Sequence, residues 1–337
     1  MRSVRAAIVA DCSTLRDDVT NLQADIPQLS TQTSRISRLR RIAYVAGIIQ
    51  TYGLLEQSLD RLLIAVAQGY NTIHTSYDQI PERVRVEFRR LSLQSILDGN
   101  RSRLREQIDE SVVLSAINSS SLPEDRRLVP AVFTKSQANY RHSHVRELLG
   151  RLDVSVGVPP SSIVQSVLDE LGMANAESVI SDLVERRNAL AHAYSFPDDI
   201  LAVEQIVAII DVVEFYLLSL EEAASDRLLD ECIQYARAVQ LGTVAKRWSR
   251  AIGVDVDAGV LSVGDSLLFR RKNGRYLCRE IESLRLDGAN VATVDASSGS
   301  GPLEVGVGFA IGAPPRLNGA AVFRLPAEYV EFYPVAN

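Results

Sequence analysis

A chain of 337 residues, 46% hydrophobic and 23% charged, has material for two domains, or for one large domain with an appendage, around a substantial core. Its formal net charge of −6 argues against a general nucleic-acid coat or a membrane-surface binder, but leaves room for a local basic cleft. Cys12, Cys232 and Cys278 are odd in number, far apart and without a CxxC pair, which speaks against a disulfide framework and a zinc site and fits a reducing cytoplasm.

Taken in chain order, the first 240 or so residues carry helical periodicity. The start, Met1-Arg2-Ser3-Val4-Arg5, leads into an amphipathic stretch over 3–25 containing Asp11 and Asp17, which is not a signal-peptide pattern. A long helix is expected over 34–68, with Ile42, Val45, Ile49, Leu55, Leu59, Leu62 and Val66 on its buried side. Shorter helices follow at 82–98, 102–117, 138–152 and 161–172. Pro159-Pro160-Ser161 marks the start of the last of them. A helix over 176–194 ends at Phe196-Pro197, and Asp198 or Asp199 caps a final long helix reaching about Val239. No apolar run approaches membrane-spanning length.

After Leu241-Gly242 the character changes, and from Val260 onward glycine and proline become frequent. Segments 266–270, 276–278, 291–294 and 319–323 read as strands, with Asn273-Gly274 and Asp287-Gly288 as hairpin turns. The expected organisation is a mainly α protein: an N-terminal helix (1–33), a helical-bundle domain (34–242) and a small β-barrel-like domain (255–337). The boundary between the helical and β parts is expected near 243–256.

The chemistry concentrates on the 176–194 helix. At about 100° per residue Ile180, Leu183, Leu190 and Tyr194 share one stripe, and Arg187 lies in its middle. A guanidinium in an apolar stripe is costly unless it has a partner or a function. Arg186, one turn from Asp182, reads as a solvated surface pair. Asn188 and His192 are stacked at i, i+4 beside Arg187. Arginine, amide and imidazole are the tools for phosphodiester transesterification without a metal. The imidazole moves the proton of a ribose 2′-hydroxyl or of the leaving oxygen, and the guanidinium steadies the extra transition-state charge. One imidazole cannot be acid and base at once, so this chemistry favours a homodimer.

Arg187-Asn188, followed by His192 and Tyr194, resembles the RxxxxHxY signature of the HEPN superfamily. The nearest subgroup is the one called RiboL-PSP-HEPN or MAE-like. The segment 44–59 is similar to the first core helix of those domains, which often carries an acidic residue where Glu56 stands. The resemblance covers about 34–225, and it implies a dimeric, metal-independent ribonuclease of toxin–antitoxin or phage-defence type. It also implies catalytic Arg187 and His192, supporting Asn188, no cofactor, and an antitoxin or defence-system partner. Tyr194 stands where some family members are modified with AMP; as a core tyrosine of the stripe it needs no such role. The stretch 69–139 and the C-terminal β module lie outside the family pattern.

Other features carry two readings each. Arg187 pairing with Glu56 in the core, with His192 merely capping the helix, would make the chain a non-catalytic adaptor that binds a partner protein. Lys135, Lys246 and Lys272 are the only lysines among 36 basic residues, which reflects either phosphate recognition by guanidinium groups or codon bias. Arg35, Arg38, Arg40 and Arg41, with Arg83, Arg85, Arg89 and Arg90, are either a phosphate track or a solvated helix face. Arg141-His142-Ser143-His144 looks metal-like, but its histidines at i, i+2 point apart, and a solvated surface is expected. His74 is expected in an ordinary loop, and Arg270-Arg271-Lys272 with Tyr276 either binds nucleic acid or contacts a partner.

Overall fold

The structure, a computed structural model, describes residues 1–29, 32–98, 110–118, 128–134, 139–192, 200–271, 273–297, 301–314 and 317–333, without the side chains of Asp98, Glu110, Asn118, Ile163 and His192. The protein is mainly α, with a C-terminal antiparallel sheet region. It divides into two compact units: residues 3–224, and residues 1–2 together with 225–337. No helix is long and apolar enough to cross a membrane among the described residues.

The helical unit is organised on α2 (Thr33–Ile73), which is longer than its periodicity suggests. Tyr44, Ile48, Tyr52, Leu55, Leu59, Leu62, Val66 and Tyr70 are buried along it. Ile42 and Ile49, expected on the buried side, are about half exposed instead. Helix α1 (Arg2–Asp25) runs antiparallel to α2, with Arg61 paired to Asp11 at 2.6 Å and Val19 close to Gly47. The absence of a side chain at Gly47 also admits Ile206 of α8 (Val203–Gln234), so two helices approach α2 at this one position. Arg5 pairs with Glu221 at 2.9 Å, while Arg16 pairs with Asp211 at 3.2 Å and with Glu214, so α8 also lies antiparallel to α1.

At its far end α2 is fastened by side chains that satisfy loop backbone. Tyr70 Oη donates to the Leu152 carbonyl at 2.8 Å, and Asn71 both donates to and accepts from the Leu128 backbone. His74, expected in an ordinary loop, is buried at the C-terminus of α2 and stacks on Tyr70 at 5.9 Å. Helices α3 (Glu82–Asp98), α4 (Glu110–Asn118), α5 (His142–Arg151), α6 (Ser162–Leu171) and α7 (Ala176–His192) complete the described set. The proposed caps of α8, Asp198 and Asp199, lie outside the described residues. The helix begins at Val203, with Gln205 accepting from the Ala202 N–H at 2.9 Å. It stops at Gln234, short of the expected Val239, because Ala236 turns left-handed (φ 53°) and Arg237 N–H closes onto the Cys232 carbonyl at 2.7 Å.

The β unit is not a closed barrel. Its eight-stranded antiparallel sheet has the order β5-β4-β10-β1-β2-β9-β6-β7, and the end strands β5 (Tyr276–Glu280) and β7 (Ala289–Val291) do not pair with each other. The chain instead spends β3 (Val260–Ser262) and β8 (Thr293–Asp295) on a separate two-stranded ladder, and Leu261 and Val294 from it join the sheet's single core. The apolar run expected as one strand at 291–294 is thus split between two sheets at Ala292. Both hairpin turns are present. Asp287 (φ 50°) and Gly288 (φ 83°) link β6 (Ser283–Leu286) to β7, and Gly274 (φ 81°) turns β4 (Ser266–Arg270) into β5.

The boundary expected near 243–256 falls instead between Ala224 and Ser225, and that segment is occupied by β1 (Val239–Arg247) and β2 (Ala251–Val256), which pair with each other and with β10 (Ala321–Leu325) and β9 (Leu303–Gly308). Register shifts at Gln240/Gly242 and Val244/Lys246 bulge β1, which hides its alternation. At the first bulge a Cβ on Gly242 would fall 1.8 Å from the Asp255 carbonyl oxygen. Gly242→Ala is therefore expected to destabilise the protein by on the order of 1–3 kcal/mol, read as a lowered urea midpoint. An unchanged midpoint would show that the bulge relaxes freely.

Candidate functional site

Helix α7 is set by its N-terminus and by a stripe that changes character along its length. Asn175 Oδ1 accepts the Ser178 N–H at 2.8 Å, while the Asn175 N–H returns to Ser178 Oγ at 3.3 Å, a reciprocal cap. Val179, Ile180, Leu183 and Val184 are fully buried, so the first half of the helix is locked into the core. Among the described side chains from Glu185 onward none is buried: Arg187, Asn188 and Leu190 are half-exposed, and Ala189 and Ala191 face solvent. The candidate motif therefore begins where the helix emerges from its packing.

Arg187 lies on the stripe of Ile180, Leu183 and Leu190 but is half-exposed there, and it forms no ion pair with Glu56. Its guanidinium lies over the ring of buried Tyr52, 4.7 Å from the centroid, and Nη1 donates to Asn188 Oδ1 at 3.2 Å. The π face holds the cation without neutralising it, and the amide fixes one edge of the fork. The charge stays available to an anion. Arg186 is bound more tightly than a solvated surface pair would be. It donates to Asp182 at 2.7 Å and to Tyr44 Oη at 3.3 Å. Burial works against its charge, but those two hydrogen bonds win and raise its pKa above the ordinary arginine value. Arg186 thus tethers α7 to α2, leaving Arg187 as the cation on display. His192 is the last residue of α7, one turn beyond Asn188; its side chain, and Tyr194 entirely, lie outside the described residues.

Beneath Arg187 lies a polar chain that the sequence reading did not find. Tyr52, Glu56 and Asp60 follow one another at i, i+4 along α2. Tyr52 Oη accepts the Tyr140 N–H at 3.4 Å, and Tyr140 Oη donates to Asp60 Oδ1 at 2.7 Å. Burial lifts the Asp60 carboxyl to about 6; the Tyr140 hydrogen bond opposes that rise and the charge of half-buried Glu56 adds to it. Burial, and then the neighbouring Asp60 charge, push the Tyr140 phenol well above its ordinary value. The available signal was an acid flanked by apolar neighbours, Leu59-Asp60-Arg61-Leu62, on a helix otherwise read for its core.

The segment expected to be solvated, 141–144, is built into the same neighbourhood. Arg141 pairs with Glu185 of α7 at 2.6 Å. His142 Nδ1 is 3.0 Å from Tyr216 Oη, and His144 Nδ1 lies 3.3 Å from Glu147. Burial lowers the His142 pKa, partly countered by Glu177. Among the described residues no group of three histidines, cysteines or carboxylates is placed to hold a metal ion. In the β unit Tyr276 is buried with its hydroxyl on Asp230, and Arg270 pairs with Asp230 at 3.8 Å, so this tyrosine presents no face to a base. Lys272 lies outside the described residues.

Compared with known proteins, the chain matches no family model and no curated sequence. The arrangement around Arg187 makes its own prediction. Because the folded pKa of Asp60, about 6, exceeds the ordinary 3.8, its contribution to stability is complete below the ordinary value and is lost as pH rises through 6. Asp60→Asn keeps an oxygen for Tyr140 and removes the titration. The variant should therefore gain stability relative to the parent between pH 4 and pH 7, read by urea denaturation. A gap independent of pH would disprove the assignment.

Proposed function

We propose that this chain is a metal-independent endoribonuclease of the HEPN type, acting in a toxin or phage-defence role. The observation that carries the reading is Arg187, held on the Tyr52 ring and the Asn188 amide and free of any acidic partner among the described residues, one turn and a half from His192 on the same helix. Arg187 stabilises the charge that builds on a phosphorane-like transition state, and Asn188 orients it. His192 moves the protons. A second copy of α7 across a two-fold axis supplies the imidazole that one protomer lacks. One takes the 2′-hydroxyl proton as the 2′-oxygen bonds to phosphorus, the other protonates the 5′-oxygen as its bond to phosphorus breaks, and a cyclic phosphate and a 5′-hydroxyl result.

The purified protein is expected to cut RNA in the presence of a chelator. His192→Ala should lower the rate by about 10²–10⁴-fold, and Arg187→Ala by about 10²–10³-fold. Cleavage that needs a divalent metal, or that His192→Ala leaves intact, would refute the mechanism.

A second reading, a non-catalytic helical adaptor, is favoured by one surface. Val86, Leu93 and Leu97 fall on one stripe of α3, and they are 54%, 54% and 85% exposed. Isolated exposed apolar residues are ordinary, but an aligned set is the pattern of a docking face. If the adaptor reading holds, Leu93→Glu with Leu97→Glu abolishes capture of the partner while leaving helix content unchanged, and no nuclease activity appears.

A further inference from the structure

We infer that the N-terminal turns of α2 are the track along which single-stranded RNA reaches Arg187. The inference names the form of the substrate and its path; it rests on the ribonuclease reading for what happens at the end of that path. Arg35, Arg38, Arg40 and Arg41 are all exposed on α2, and among the described residues none of them takes part in an ion pair. Among the described residues Arg83, Arg89, Arg146 and Arg187 of the helical unit also lack an ion pair, but Arg35, Arg38, Arg40 and Arg41 are set apart by their grouping within seven residues at one end of a single helix. Arg5, Arg16, Arg61, Arg85, Arg90, Arg141, Arg151 and Arg186 each hold a carboxylate. A protein of formal net charge −6 has acids enough to neutralise four more guanidinium groups, yet these four stand without them.

Their placement is directional. At about 100° per residue Arg35, Arg38, Ile42, Ile49 and Glu56 share one stripe of α2 roughly 60° wide. Arg41 borders this stripe, and Arg40 falls on the opposite flank. The stripe leads along the helix to Tyr52 and Glu56, beside the ring that carries Arg187, roughly 25 Å from Arg35 at 1.5 Å per residue. Ile42 and Ile49 are each 48% exposed between the arginines and the site.

Guanidinium groups followed along the helix by exposed apolar side chains match an unpaired strand better than a duplex. The cations take phosphates in sequence, and the apolar groups meet base faces that a double helix keeps stacked away. The track also has an end. Past Tyr52 the sign of the surface reverses at Glu56 and Asp60, so a phosphate backbone is turned off α2 there. Arg187 stands beside that point, over the Tyr52 ring. The acids thereby place a phosphate at the motif helix instead of letting the strand run on.

The test is binding, measured on the whole protein carrying His192→Ala so that nothing is cut. A fluorescein-labelled oligouridylate of about 12 nucleotides, within the span of single-strand platforms, is titrated by anisotropy at several salt concentrations. Arg35→Gln/Arg38→Gln/Arg41→Gln, a triple change that preserves helix propensity at exposed positions, should weaken binding roughly tenfold or more and flatten the log–log salt slope by about 2. Arg40→Gln should do much less. Ile42→Ser/Ile49→Ser should weaken the single strand and leave the weaker binding of a duplex of equal length unchanged. Failure of the parent to bind, an unaltered slope in the triple variant, equal preference for duplex, or displacement of the RNA by polyglutamate would each overturn the inference. The two readings fail separately. Binding that depends on the arginines without cleavage by the His192 protein sinks the nuclease alone, and His192-dependent cleavage that ignores the arginines sinks the track alone.

Discussion

The ring of Tyr52 is the fixed point of the helical unit's candidate site. It is 2% exposed, its hydroxyl accepts the Tyr140 N–H at 3.4 Å, and its face supports Arg187 at 4.7 Å. A guanidinium held this way loses some rotational freedom and little of its charge, because a π face attracts a cation without supplying the countercharge of a carboxylate. The neighbouring Arg186 shows the contrast. With Asp182 and Tyr44 as partners it is electrostatically satisfied, and it serves to join α7 to α2.

That division of labour between adjacent arginines depends on where α7 leaves its packing. Val179, Ile180, Leu183 and Val184 are sealed, and the polar motif begins at the next turn. A more deeply buried Arg187 would have required a countercharge, since an unpaired interior cation is costly. A fully exposed one would have wandered. The half-buried position on an aromatic floor is the physical compromise between the two. The chain Tyr140–Asp60–Glu56 then gives the floor an acidic rim whose titration near pH 6 follows from burial.

The β unit obeys a different constraint. Its core is shared by one sheet and a small second ladder, and the chain reaches that arrangement through bulges in β1 and left-handed turns at Asp287-Gly288. A strand must shed its regular alternation at each bulge, so the most distorted strand is also the least visible in a pattern of apolar and polar residues.

The order of helices, the motif on α7, both hairpin turns and strand β4 follow from sequence because each rests on local rules: the 3.6-residue period, a reciprocal cap, and backbone that Asn-Gly and Asp-Gly tolerate. By itself the sequence also picked out Arg187 as the residue needing an explanation, with Asn188 beside it, while Glu56 entered through the family resemblance. It placed Arg187 within an apolar stripe, and only the tertiary structure put Tyr52 beneath it, drew Tyr140 from a distant segment onto Asp60, and gave Arg186 its second partner. Those contacts join residues between 80 and 142 positions apart, a separation at which no periodicity carries information. The same holds for the open edge of the sheet, since whether two end strands meet is decided by the packing of the intervening chain and not by the strands' own sequences.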